Sequence, residues 1–183
     1  VVLATRTQPI RPRTPRRGRS ESAEQDGGTR RPPSRSRSGW PPTLLTPVSP
    51  AAIRAGDGAD VLDFLAAYGR ITKDSIAGPS GDPLDPRHWQ REVIKATFAR
   101  DPATGKRQAR TALWGMARKN GKTGLVAPVA LYGLTCGGEG AEVYSCAADR
   151  DQAKLVFTAA KRTVEMDPEL SARVKPYRDV LED

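Results

Sequence analysis

The sequence predicts an α/β fold: a parallel sheet with flanking helices, carried behind a disordered basic tail. Three observations predict it. Arginine and proline crowd the first 50 residues, the remainder alternates strand and helix patterns, and a Gly-Lys-Thr stands between one such strand and the next helix. At 183 residues the chain has room for one domain and a tail.

Residues 1–50 contain ten arginines, no lysine and three acids (Glu21, Glu24, Asp26), so +7 of the formal +9 lies there. Nine prolines share the segment, in runs such as Arg11-Pro12-Arg13-Thr14-Pro15-Arg16-Arg17. Too little apolar surface is present to offset chain entropy, which predicts a disordered tail over residues 1–55 and a folded region over 56–183. The tail reads either as a solubilising leader or as an arm that binds phosphates non-specifically. It has no apolar core of a secretory signal, and its prolines argue against an amphipathic transit peptide. No apolar run approaches the ~18 residues of a membrane span. Two cysteines, Cys136 and Cys146, make no disulfide framework, fit reduced thiols, and predict Cys146 buried on a strand.

The folded region is read element by element. Asp60 is a candidate cap for a helix over Val61–Tyr68, stopped by Gly69. Asp85-Pro86 predicts a cap and first helical position, with a helix to about Arg100 burying Trp89, Val93, Ala96 and Thr97. Arg110–Gly115 has strand character, with Thr111-Ala112-Leu113-Trp114 as a buried run. A helix follows over about Lys122–Leu134, with Pro128 expected to kink it or disturb its first turns. Glu142–Cys146 reads as a second strand. Asp149 and Gln152 then open a helix to about Glu165, with Ala153, Val156, Phe157, Ala160 and Val164 on its apolar side and Asp167-Pro168 as its end. Strand–helix–strand order implies parallel pairing through right-handed crossovers.

The chemistry concentrates in Ala117-Arg118-Lys119-Asn120-Gly121-Lys122-Thr123, which ends like a Walker A loop. Gly121 lets backbone approach phosphate closely, and amides at a helix start form an anion nest. Lys122 would pair with β- and γ-phosphates, and Thr123 would offer its hydroxyl to Mg²⁺. The first glycine of the usual pattern is missing, since Met116 stands six residues before the lysine. About 30 residues upstream lies Trp89-Gln90. A glutamine amide can satisfy N6 and N7 of adenine, and a neighbouring aromatic can pack near the base. His88, the single histidine, reads as helix surface.

Together these residues resemble the start of the ATPase domain of a tailed-phage large terminase subunit, over about Val61–Val174. Asp85-Pro86-Arg87-His88-Trp89-Gln90 is similar to that family's adenine-contacting Q motif. Arg118-Lys119-Asn120-Gly121-Lys122-Thr123 is similar to its deviant Walker A, which lacks the first glycine and carries an arginine four residues before the lysine. Ala141–Ala153 resembles the strand and helix that follow. The resemblance implies a partial P-loop NTPase fold, RecA/helicase-like, with ATP and Mg²⁺ as cofactors. Trp89, Gln90 and residues 118–123 would bind the nucleotide. Lys122 and Arg118 would be catalytic, with Arg118 near the γ-phosphate. It further implies double-stranded viral DNA, a portal and a small terminase subunit as partners, in the bacterial host cytoplasm and without a membrane.

No apolar run ending in Asp-Glu follows Lys122, and Leu181-Glu182-Asp183 is too short for one. Neither that Walker B strand nor the family's nuclease cluster is found, so the resemblance implies a fragment with weak or no hydrolysis alone. An incomplete sheet should also leave an open edge and exposed apolar surface. Two other readings stand beside this one: a different P-loop enzyme of helicase-like or kinase type, or an inert remnant that binds nucleic acid through its tail. The tail is tested on phosphocellulose. If it is a phosphate-binding arm, deleting residues 1–50 abolishes retention, and unchanged retention removes the arm from consideration.

Overall fold

A computed structural model describes residues 2–4, 46–117 and 119–183. It holds six helices and four short strands among those residues. Residues 1 and 5–45, most of the expected tail, lie outside the described residues. Regular structure nonetheless occurs inside the 1–55 stretch. Val2–Ala4 forms strand β1, and Pro50–Ala55 forms helix α1. Ser49 caps α1 by accepting the Ala52 amide at 3.1 Å, and Pro50 takes the first turn, where its missing N–H costs nothing.

Helix α1 ends at Gly56, where a Cβ would meet the Phe98 carbonyl oxygen at 2.3 Å. This contact brings the end of α1 against the end of helix α3, His88–Thr97. Between them, helix α2 spans Gly58–Tyr68 and buries Val61, Leu62, Phe64, Leu65 and Tyr68. The helix starts earlier than the expected Asp60 cap. Asp57 holds the cap position but makes no side-chain cap bond. Its carboxylate instead receives Arg100, at 2.7–3.0 Å through Nε and Nη2. Arg107 approaches the same carboxylate at 3.5 Å, with its guanidinium 4.7 Å from the Phe98 ring centroid.

Helix α3 begins two residues after its expected start. Asp85 is drawn into an ion pair with Arg91, whose Nε also donates to the Pro86 carbonyl, and Arg87 takes the cap position. The helix ends at Thr97, short of the expected Arg100. Its buried side centres on Ile94, followed by Phe98, while Trp89, Val93, Ala96 and Thr97 are only half-buried.

The strand expected over Arg110–Gly115 is not formed. This run makes no strand pairing, and Leu113 is 96% exposed rather than buried. Apolar character alone does not make a strand, because its amides and carbonyls need a neighbouring ladder.

Helix α4, Lys122–Cys136, runs two residues past its expected end. Pro128 is buried inside it, and the helix continues through that position. Strand β2 is reduced to Val143–Tyr144, and Cys146 beyond it is exposed, not buried as expected. Helix α5, Arg150–Met166, follows the expected boundaries closely, with Asp149 accepting the Gln152 amide. Phe157, Ala160 and Val164 are buried, with Ala153 and Val156 half-buried.

Asp167 then does more than end α5. It accepts the Glu169 and Leu170 amides and so starts helix α6, Pro168–Arg173, which sequence reasoning did not anticipate. Its other carboxylate oxygen receives Arg70 at 2.9 Å, tying the end of α2 to the α5–α6 corner. Strands β3, Lys175–Pro176, and β4, Val180–Glu182, complete the chain. The sequence offers no strand at this end of the chain, yet Val180–Glu182 forms β4, with Leu181 buried. Arg173 pairs with Asp183 and donates to the Thr135 carbonyl, and the Asp183 side chain is 1% exposed.

The sheet order is β2-β1-β4-β3. It is mixed: β1 runs parallel to β4, and the β1–β2 and β3–β4 pairs are antiparallel. The core lies among α2, α4 and α5. Phe64 meets Tyr132 edge-on at 5.7 Å, and Phe98 meets the same ring at 6.1 Å, so one tyrosine joins α2, α4 and the end of α3. An open apolar cleft of about 430 Å³ remains between α4, β2 and α5, lined by Val126, Val129, Val156 and Phe157 among others. Among the described residues no helix is long and apolar enough to cross a membrane.

Burial raises the Tyr132 phenol to about 12, and the negative charges of Asp57 and Asp60 add to the shift. The folded protein therefore holds the neutral phenol more firmly than the unfolded chain, where tyrosine titrates at about 10. That preference is fully present below pH ~10 and is lost as pH rises through ~12. Tyrosinate absorbance should show a component titrating near 12 that Tyr132→Phe removes. The urea midpoint of Tyr132→Phe should also fall less steeply than wild type over that window.

Candidate nucleotide-binding site

The loop before α4 closes on the side chain that follows it. Lys122 Nζ donates to the Met116 carbonyl at 2.6 Å and to the Ala117 carbonyl at 3.3 Å. A lysine six residues downstream thus draws the loop into a ring around its own ammonium. Two left-handed residues make the ring possible, Lys119 (φ 66°) and Gly121 (φ 73°). Gly121 occupies the α4 cap position, and its carbonyl accepts the Leu125 amide at 2.9 Å to begin the helix. Amides of the first helical turn lack partners within the helix, and the helix dipole adds positive potential there.

The adenine candidate stands against the same loop. Gln90 Oε1 accepts the Arg87 amide at 2.8 Å, and its Nε2 reaches the Asn120 carbonyl at 3.5 Å. A Cβ on Gly121 would lie 3.8 Å from that Nε2. The structure therefore brings Gln90, Asn120, Gly121 and Lys122 together, although Gln90 and Lys122 are 32 positions apart. The Gln90 amide is engaged at both ends by protein, so reading a base would require exchange of those partners. Trp89 is half-buried beside it on α3, and Thr123 is half-buried in the first turn of α4. Arg118 lies outside the described residues.

Sequence reasoning missed the Met116 and Ala117 carbonyls, because backbone acceptors carry no residue signature. Asp183 offers no open carboxylate here, being held by Arg173. Among the described residues no three His, Cys, Asp or Glu side chains are grouped to hold a metal ion.

The family model of the terminase large subunit, ATPase domain, matches residues 88–179, half of the chain. The terminase large subunit of Enterobacteria phage HK97 is 34% identical over 116 residues, which cover 62% of this chain and 21% of that protein. The crystal structure of the HK97 bacteriophage large terminase shares the fold, with a TM-score of 0.52 at 22% identity, over 70% of this chain and 27% of that one. The chain thus spans about a fifth of the length of its curated relative.

Left-handed backbone costs an ordinary residue roughly 1–2 kcal/mol, and glycine far less. Lys119→Gly should unfold in urea no earlier than wild type. Lys119→Val, whose branched Cβ is still less tolerant of this backbone, should unfold at lower urea than wild type.

Proposed function

Because the chain belongs to the family of terminase large subunit ATPase domains, we propose that it is the ATP-binding portion of a phage DNA-packaging motor, which moves viral DNA into the procapsid. The observation that carries this reading is the Lys122 ammonium seated on the Met116 and Ala117 carbonyls at the mouth of α4. A cation so placed, beside helix-start amides and a glycine without Cβ, suits a polyphosphate.

In this reading Lys122 exchanges loop carbonyls for β- and γ-phosphate oxygens, and the amides around Lys119, Asn120 and Gly121 cradle the phosphates. Thr123 offers its hydroxyl to Mg²⁺, which when bound neutralises phosphate charge. Arg118 lies near the γ-phosphate, where an added cation can be worth roughly 10³–10⁵ in rate. Gln90 reads adenine after releasing Arg87 and Asn120, with Trp89 packed near the base. The small mixed sheet belongs, in the same reading, to a P-loop sheet with further parallel strands. Residues 1–55 carry the basic segment ahead of the ATPase portion over 56–183, with β1 and α1 joining that portion's fold. Double-stranded DNA, a portal and a small terminase subunit are the partners, in the cytoplasm of the bacterial host.

Calorimetry with MgATP tests the reading. Wild type should bind, and Lys122→Ala should weaken binding about 10- to 100-fold, since a hydrogen bond to a charged group contributes roughly 1.5–3 kcal/mol. ATP should be preferred over GTP, with the preference levelled in Gln90→Ala. Hydrolysis by this chain alone should be weak or absent, and turnover that Lys122→Ala abolishes would refute that expectation.

A further inference from the structure

Both flanks of the loop are fastened to one helix. Before the loop, Trp114 donates its indole Nε1–H to Thr97 Oγ1 at 2.9 Å. After it, the Asn120 carbonyl accepts from Gln90 Nε2. Gln90 and Thr97 are both in α3, seven residues apart. Two helical turns separate them, so they share a side of the helix at about 10 Å along its axis. Trp114 and Asn120 therefore fasten a bridge to α3 at two points, the first through the shorter bond, and the Met116 and Ala117 carbonyls that hold Lys122 lie between them in the sequence.

The bridge has little else to hold it at its entry. Residues 111–117 make no strand pairing, and Leu113, next to Trp114, is 96% exposed. Trp114 itself is half-buried and packs against the hydrophobic core. A partly desolvated indole N–H needs an acceptor, and the Thr97 hydroxyl supplies it. A helical threonine can turn its hydroxyl to a carbonyl one turn back. Thr97 Oγ1 here accepts from a side chain 17 residues away.

We propose that Thr97 and Trp114 are positioning residues of the phosphate-binding loop. Their hydrogen bond sets where the Met116 and Ala117 carbonyls stand, and through those carbonyls where Lys122 waits for the nucleotide. The inference rests on the nucleotide-binding reading and adds to it a control of affinity from outside the loop.

The experiment measures MgATP affinity of the full chain by calorimetry and, in parallel, amide hydrogen exchange in α5 as a check on the fold. Thr97→Val keeps the shape and removes the hydroxyl; Trp114→Phe keeps an aromatic ring and removes the donor. Each should weaken MgATP binding about two- to twelve-fold, the range that one neutral hydrogen bond supplies. Exchange in α5 should not change. Thr97→Ser, which keeps the acceptor, should bind as wild type does, a rescue that a purely packing role of the threonine methyl would not give. Wild-type binding with unchanged affinity in both Thr97→Val and Trp114→Phe overturns the inference and leaves the nucleotide reading standing. Failure of wild type to bind MgATP overturns the nucleotide reading and the inference with it.

Discussion

The constraint on which the site depends is that its loop has no ladder of its own. From residue 111 to residue 117 the backbone joins no strand, yet it must present two carbonyls at fixed positions to one ammonium. Stiffness therefore comes from outside. Helix α3 supplies it through side chains, and α3 is in turn held by the aromatic contact of Phe98 with Tyr132 and by the close approach of Gly56 to the Phe98 carbonyl. Geometry at the loop is thus inherited from packing more than ten residues upstream.

The same economy recurs at the corners of the fold, where aspartates serve two partners each. Asp57 sits where a helix cap would be and gives its carboxylate to Arg100 and Arg107. Asp167 caps α6 and receives Arg70 in one side chain. These pairs are partly buried and hydrogen-bonded, a setting in which removing one partner costs more than the pair contributes net. Each joins the end of one helix to another part of the fold.

Much of the helical framework was legible in the sequence because a 3.6-residue stripe needs no partner to be recognised. Phe157, Ala160 and Val164 stand on the buried side of α5 as expected, and Asp149 opens that helix. Helix boundaries were less legible where a carboxylate had a better offer: Asp57 was taken by Arg100, and Asp85 by Arg91. Strands were least legible. Thr111–Trp114 has strand composition without a pairing neighbour, whereas Val180–Glu182 has little sequence to recommend it and pairs on both sides. Of the candidate site, Gly121, Lys122 and Gln90 stood out by residue type and spacing, and the structure sets Gln90 against Asn120 and Gly121, next to Lys122 in the chain. The two carbonyls and the Thr97–Trp114 bond did not, since one is backbone and the other joins unremarkable residues 17 positions apart.

The ammonium of Lys122 is already solvated by protein before any ligand arrives. In the proposed reading, binding is then an exchange of partners and not the capture of an anion by a bare cation. The free-energy gain is only the difference between phosphate oxygens and the carbonyls of Met116 and Ala117, which stay close by to take the lysine back. Such a site has a ready destination for the lysine when the ligand departs. If the proposed reading holds and a nucleotide must leave in every cycle, ease of release is as much a property of the loop as its grip.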